Sequence, residues 1–340
     1  MAMKALSKAK AATIYEVAAR AGVSIATVSR ALRDSDLVTA ETRARVREAA
    51  EALHFMPSRA GRSLAEGRHA ANGIVFPDLV GPYYADLVLG YEETAAEFGS
   101  SVLILATHGR RDAAAAVRDL AGRVDGLAIM GHTVGDDVVE RLAARRQPLV
   151  LIARPPVAGV DTIRTRNERT AVELAEHLLG HGHRRFAFLG DPDASPDVAG
   201  RYAGLAKVLR AAGLTPPPAV PCAMNLQGGQ AAAADVLRDR PDAVVCANDE
   251  VALGVQLAAE AAGLSVPADV AVTGWDDVLA ARFAGLTTVR QPMRELGSTA
   301  ARWLHERITD PSRKQRRRIL TTQLHVRRSC GNHPPEVHTS

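Results

Sequence analysis

Thr13, Glu16, Gly22, Ser24 and Arg30 fall at spacings that build a tight helical hairpin and arm one face of it. Thr13 and Glu16 stand three residues apart, so the Thr hydroxyl can take a free N–H of the first turn while Glu16 reaches back to the cap; this starts a helix at Ile14. Gly22 supplies the left-handed stop, and Ser24 caps a second helix running to about Leu32. Val17, Ala21, Val23, Val28 and Leu32 can share one small core, which leaves Ile25, Ala26, Thr27, Ser29 and Arg30 on the outside. Small side chains let such a helix approach DNA closely, and an arginine beside them can grip guanine through two hydrogen bonds, for about 1–3 kcal/mol of discrimination. The chemistry is that of a DNA reader.

A second set of groups lies far along the chain: Arg201, Asn248, Asp249 and Asp276, with Tyr83 and Tyr84. A guanidinium, two carboxylates and an amide facing aromatic rings suit a polyhydroxylated ligand, because each hydroxyl both donates and accepts. The competing reading makes Arg201 a latch between strand ends. Other constellations are weaker. His177, His181 and His183 could bind a metal, but at a helix end they read better as caps on its negative pole. Asp136–Asp137 and Asp276–Asp277 are adjacent acids, which do not form a general acid/base pair by sequence alone. Neither a phosphate-cradling glycine loop nor a nucleophile-elbow motif is present, so no catalytic residue, metal or cofactor is expected.

Charge is distributed to match. Residues 1–70 hold twelve Lys or Arg against seven Asp or Glu, whereas the remainder holds thirty against thirty-one. A cationic head suits phosphates, and a near-neutral body does something else. Cys222, Cys246 and Cys330 form no CxxC pair and read as reduced, mostly buried thiols. No apolar run approaches the ~20 residues of a membrane span, and the N-terminus lacks a signal-peptide core, so no membrane partner and a cytoplasmic location are expected. Arg313–Arg318 is a basic run that reads as a solvated loop.

The elements that must position these groups follow in series. Thr39 caps a third helix carrying Val46, Ala50 and Leu53, which closes an all-α three-helix headpiece over 1–57. Residues 58–71 are polar, small and basic, too short to be helical alone, and form a hinge. From 72 to 330, apolar strands alternate with helices, which predicts two doubly wound parallel-sheet halves with a cleft between them. The first half takes 72–161 and 291–319, the second 162–290 and 320–330, followed by a tail over 331–340. A second βα series is expected to open near Asp161.

The stretches Thr13–Ala18, Gly22–Ser24 and Thr27–Arg30 resemble the LacI/GalR family of transcriptional regulators. The resemblance implies that Ile25, Ala26 and Arg30 face base edges, with Thr13, Tyr15, Ser24, Thr27 and Ser29 near phosphates. It also implies that paired hinges enter the minor groove, Leu64 wedging a base step while Arg62 and Ser63 touch backbone or groove; the alternative for Leu64 is an exposed linker leucine. Pro77–Tyr84, Asn248–Asp249 and Gly274–Asp277 look like the loops of that family's periplasmic-binding-protein-like effector domain. The implied effector contacts are Asp78, Tyr83, Tyr84, Arg166, Arg201, Met224, Asn248, Asp249 and Asp276.

Departures matter too: Ala153 stands where relatives often carry Asp, and Arg166 where an acid is common. With Arg154, Arg166 and Arg201 nearby, the effector could be a neutral sugar or an acidic or phosphorylated one, unless Arg154 and Arg166 turn to solvent. The implied whole is a repressor acting as a homodimer on double-stranded operator DNA under a small carbohydrate-like effector. The rivals are an exported binding protein serving a transporter, and a doubly wound metabolic enzyme.

Overall fold

The computed structural model describes residues 12–32, 34–56 and 68–331, and the chain divides into two compact units between His69 and Ala70. The first unit holds α1 (Ile14–Ala21), α2 (Ile25–Ala31) and α3 (Ala40–Ala52). Each start has a side-chain cap: Thr13 and Glu16 form the reciprocal box, Ser24 accepts from the Thr27 N–H at 3.1 Å, and Thr39 accepts from the Thr42 N–H at 3.3 Å. Gly22 ends α1 at φ 65°, a conformation that costs a residue with a Cβ. Val17, Val28, Ala31 and Val46 are completely buried, with Ile14, Val23, Leu32 and Leu53 packed around them. The face of α2 that carries Ile25, Ala26 and Arg30 stays exposed. Arg62, Ser63 and Leu64 lie outside the described residues.

The second unit opens with β1 (Ala71–Phe76), α4 (Tyr83–Glu97), β2 (Ser101–Ala106), α5 (Ala113–Ala121), β3 (Gly126–Met130), α6 (Asp136–Ala144), β4 (Leu149–Ile152) and β5 (Asp161–Thr165). It continues with α7 (Asn167–Gly180), β6 (Phe186–Leu189), α8 (Pro196–Ala211), β7 (Ala219–Val220), α9 (Leu226–Val236), β8 (Ala243–Cys246), α10 (Asp249–Ala261) and β9 (Ala271–Thr273). It closes with α11 (Leu279–Phe283), β10 (Thr288–Arg290), α12 (Met293–Thr309), β11 (Arg317–Leu320) and β12 (Gln323–His325). Two parallel sheets result, ordered β11-β5-β4-β3-β1-β2 and β7-β6-β8-β9, with an antiparallel β10–β12 pair apart from them. Both sheets have separate apolar clusters on their two faces, which is why their strands read as unbroken apolar runs.

One boundary differs from the sequence reading. Asp161–Thr165 does not open the second half: it pairs with β4 and β11 as the fifth strand of the first sheet, and Leu320 still pairs with Thr165 in that sheet. The first crossing therefore follows Thr165 and the last follows Leu320. This strand was hard to read because Asp161 and Arg164 interrupt its apolar pattern, yet Asp161 is fully buried. It accepts from Arg307 Nη2 at 2.9 Å and from Arg316 Nη2 at 3.0 Å. The basic run Arg313–Arg318 is mostly exposed to solvent, as read, but its end enters β11 and arginines within it are ion-paired: Arg313 and Arg316 with Glu306, Arg318 with Glu295, and Arg316 stacks on Trp303.

The histidines at the end of α7 do more than cap it. His177 Nε2 lies 3.4 Å from the Cys330 thiol and His183 Nε2 lies 3.0 Å from its carbonyl, so they clasp the last described turn. Beside it, Ser329 Oγ donates to the Val272 carbonyl and accepts from the Thr287 N–H, with Cys330 completely buried. Among the described residues all three cysteines are free thiols, no group of three or more His, Cys, Asp or Glu could hold a metal ion, and no helix is long and apolar enough to cross a membrane.

Helices α4 and α12 cover one face of the first sheet, and their backbones meet at glycines. A Cβ on Gly297 would come within 2.0 Å of the Leu87 carbonyl oxygen, and one on Gly90 within 2.1 Å of the Arg294 carbonyl oxygen. Gly297→Ala should therefore destabilise the second unit by about 1–3 kcal/mol, an overpacking cost measurable by urea denaturation. A variant as stable as wild type would mean that the helices can separate freely.

Candidate functional site

In the first unit the readable surface is the outer side of α2. Ala26, Ser29 and Arg30 line a shallow hollow with Ser35; Ile25 is 40% exposed and Tyr15 is 69% exposed. Thr13, Ser24 and Thr27 spend part of their hydrogen-bonding capacity on the helix starts, and the Ser24 and Thr27 hydroxyls are 2.9 Å apart. The first turns of α1 and α2 are thus fixed by the same residues that the sequence places near phosphates. An exposed arginine on a rigid, small-residue face can enter a groove without rearrangement.

In the second unit the loop after β1, the starts of α8 and α10, and the segment after β9 supply the walls of the other candidate site. Tyr83 and Tyr84 meet edge to face with ring centroids 5.0 Å apart. Burial drives the Tyr83 hydroxyl well above its usual range, and Asp197 and Asp276 push it further while Arg201 opposes them. Tyr84 is pushed up to about 12 by burial first, then by Asp276, Asp78 and Glu250. Both phenols therefore stay protonated and face carboxylates.

Arg201 is buried and already committed. Its Nε donates to Asn167 Oδ1 at 2.9 Å, its Nη1 to the Ala247 carbonyl, and its guanidinium lies over the Trp275 ring at 4.7 Å. Asp197 accepts from Asn167 Nδ2 at 2.8 Å and sits 4.0 Å from Arg201. Burial raises the Asp197 carboxyl, with Arg201 and Arg164 pulling against it. Asp276 accepts from Gln291 Nε2 at 2.7 Å and is held at φ 118°, a strained region for a non-glycine residue. Burial lifts its carboxyl well above the carboxylate range despite Arg201, and Asp249 and Asp197 add to the rise.

The other expected contacts are placed as follows. Asp249 is fully buried with both oxygens in use, accepting from the Thr288 hydroxyl and from the Val278 N–H at 2.9 Å; it holds the wall rather than reaching inward. Asn248 caps α10 and donates to the Met224 carbonyl at 3.1 Å, which fixes the Met224 loop. Asp78 folds its own loop by accepting from the Leu79 and Val80 N–H groups.

Two further residues depart from the sequence reading. Arg154 neither reaches a ligand nor turns to solvent: it is completely buried, donates to the Val134 carbonyl at 3.1 Å and pairs with Asp136. Arg166 lines a neighbouring groove with Arg164, Arg169 and Lys207, which meets the Arg201 site at Asn167 and Asp197. Asp197, Asn167, Trp275 and Gln291 were not singled out from sequence. Asp197 was the most findable, since it stands one turn before Arg201 on the same helix face.

Two family models match the chain: bacterial regulatory proteins of the lacI family over residues 13–58, and a periplasmic binding protein-like domain over residues 175–330. The ribose operon repressor of Escherichia coli strain K12 is 33% identical over 333 residues, covering 94% of this chain and 100% of that protein. The HTH-type transcriptional repressor CytR of the same strain is 29% identical over 336 residues, covering 96% and 98%. Among solved structures, the lac repressor dimer bound to operator and the anti-inducer ONPF superposes with a TM-score of 0.84 at 28% identity, covering 95% of this chain and 100% of that one.

The buried acids predict an unusual pH response. Burial lifts Asp249 to about 6, above its ordinary value of 3.8, with Thr288 and Val278 opposing the rise and Asp277 adding to it. Folding then takes up a proton between those two values, so this group's contribution to stability falls as pH rises through about 4–6 and is level above. The difference in urea-unfolding free energy between wild type and Asp249→Asn should change over that window and be flat from pH 7 to 8. A constant difference throughout would remove Asp249 as the titrating group.

Proposed function

The chain belongs to the lacI family of bacterial regulatory proteins, and from that premise we propose that it is a sequence-specific DNA-binding transcriptional repressor controlled by a small effector. The observation that carries this reading is the capped helical pair with its exposed Ile25, Ala26 and Arg30 face. Membership of that family sets aside the transporter-binding-protein reading, which has no use for such a face. The protein works as a homodimer on a pseudo-palindromic operator in the cytoplasm, by binding rather than by catalysis, with Arg62, Ser63 and Leu64 in the minor groove.

The effector site is the surface shared by Tyr83, Tyr84, Asp197, Arg201 and Asp276, with Gln291, Asn248 and Met224 at its borders. Two acidic side chains face one guanidinium whose Nε and Nη1 are already engaged and whose Nη2 lies 4.0 Å from Asp197, and Arg154 contributes no positive charge there. This balance favours a neutral, hydroxyl-rich molecule, such as a sugar or a nucleoside, over an anion. A ligand that fits one relative setting of the two halves better than another shifts the population toward it and changes operator affinity. A ribose-type scaffold is the natural first probe, given the similarity to a ribose operon repressor.

Selection of bound sequences from a randomised duplex pool, followed by gel shift, tests the DNA reading. Binding should be selective and fall steeply as salt rises. Arg30→Ala should weaken the selected site by about 1–3 kcal/mol, roughly five- to 150-fold, and relax the preference at one base pair. Equal, weak binding to every duplex would overturn the proposal. Calorimetry with neutral sugars, nucleosides and sugar acids tests the effector reading. Binding of a neutral member that is lost in Asp276→Ala is expected, and tight binding of an acid alone would reverse the charge argument.

A further inference from the structure

We propose that the groove where the first crossing enters α7 is a separate binding site for a phosphate group, either free or carried by a small metabolite. The groove has a volume of about 690 Å³, within the range of small-molecule pockets, and both halves contribute to it. Arg164, Arg166 and Ile319 come from the crossing and the edge of the first sheet; Arg169, Gly200 and Lys207 come from α7 and α8. Four cationic side chains line it against two carboxylates, Glu168 and Asp197.

Those carboxylates do not neutralise the wall. Asp197 is turned inward to Asn167 and Arg201, and Glu168 reaches only Lys207, at 4.0 Å. Arg169 makes a 3.4 Å pair with Glu173, the next turn along α7. The Arg166 guanidinium has no acceptor among the described residues, while its backbone is pinned on both sides. Its N–H donates to the Leu320 carbonyl at 2.9 Å, and its carbonyl accepts from the Thr322 hydroxyl at 2.7 Å. A half-buried arginine with a fixed backbone and a free fork is already positioned for a planar, bidentate partner. Phosphate fits better than a carboxylate because it brings roughly two negative charges at neutral pH and oxygens on several sides, matching cations on opposite walls.

This groove shares Asn167 and Asp197 with the border of the proposed effector surface but is lined by other cations, and it does not depend on the repressor reading. Calorimetry on the full chain, without DNA, tests it with inorganic phosphate in buffers matched to chloride in ionic strength, and with a sugar phosphate against its parent sugar. Saturable phosphate binding is expected, weakened about tenfold or more by both Arg166→Gln and Lys207→Gln. The ester binding more tightly than inorganic phosphate would identify a metabolite as the ligand, and the reverse would identify the free ion. Should Arg166→Gln fail to give a cooperative unfolding transition, the exposed Lys207→Gln alone decides. No heat beyond chloride, binding indifferent to both variants, or equal affinity for the sugar with and without its phosphate overturns the proposal.

Discussion

Four hydrogen bonds hold together the places where the chain passes between the two sheets of the second unit. The Thr165 hydroxyl meets Gln291 Oε1 at 2.7 Å, the Thr322 hydroxyl reaches both the Arg166 carbonyl and the Thr170 hydroxyl at 2.7 Å, and the Arg166 N–H meets the Leu320 carbonyl. The three crossings are thereby laid side by side as a short, buried strap. Each sheet is a packed body with apolar clusters on both faces, which makes this strap the place where a hinge can form. Any group that touches both bodies, in the cleft or behind it, acts on the same few backbone torsions.

The strap also sets the electrostatics around it. Asp276 and Asp277 are neighbours in sequence with opposite fates. Asp276 turns toward Gln291 and Arg201, and its burial keeps its carboxyl well above the usual range. Burial pushes Asp277 the same way, but hydrogen bonds from Arg327 and Arg290 outweigh it and hold that carboxyl low. Asp276 is held by the second crossing through Gln291, and Asp277 ties that crossing and the last one to the second sheet through Arg290 and Arg327. The positive φ at both residues is the backbone cost of splitting them.

Much of this was legible in the amino-acid order because local rules governed it. The capping box at Thr13, the left-handed Gly22 and the Ser24 cap belong to single turns, and the doubly covered strands announced themselves as apolar runs. What escaped reading was settled at long range. Asp161 was read as the opening of a second series, whereas the arginines of α12 and of the segment before β11 close over it from about 150 positions away. Arg154 was read as an anion contact or as turned to solvent, and neither reading found its partner Asp136 at the head of α6. Burial of a charge depends on who else arrives, and spacing along one segment cannot report that.

The clasp around Ser329 and Cys330 has an implication for synthesis. The edge strand β11 completes the first sheet and the turn at residues 328–330 plugs the second, so neither sheet has a finished core until the ribosome has passed about residue 330. The three-helix unit, by contrast, is self-contained within the first 56 residues. A chain lacking these residues would keep its three-helix unit and leave apolar sheet uncovered, the kind of surface that drives aggregation.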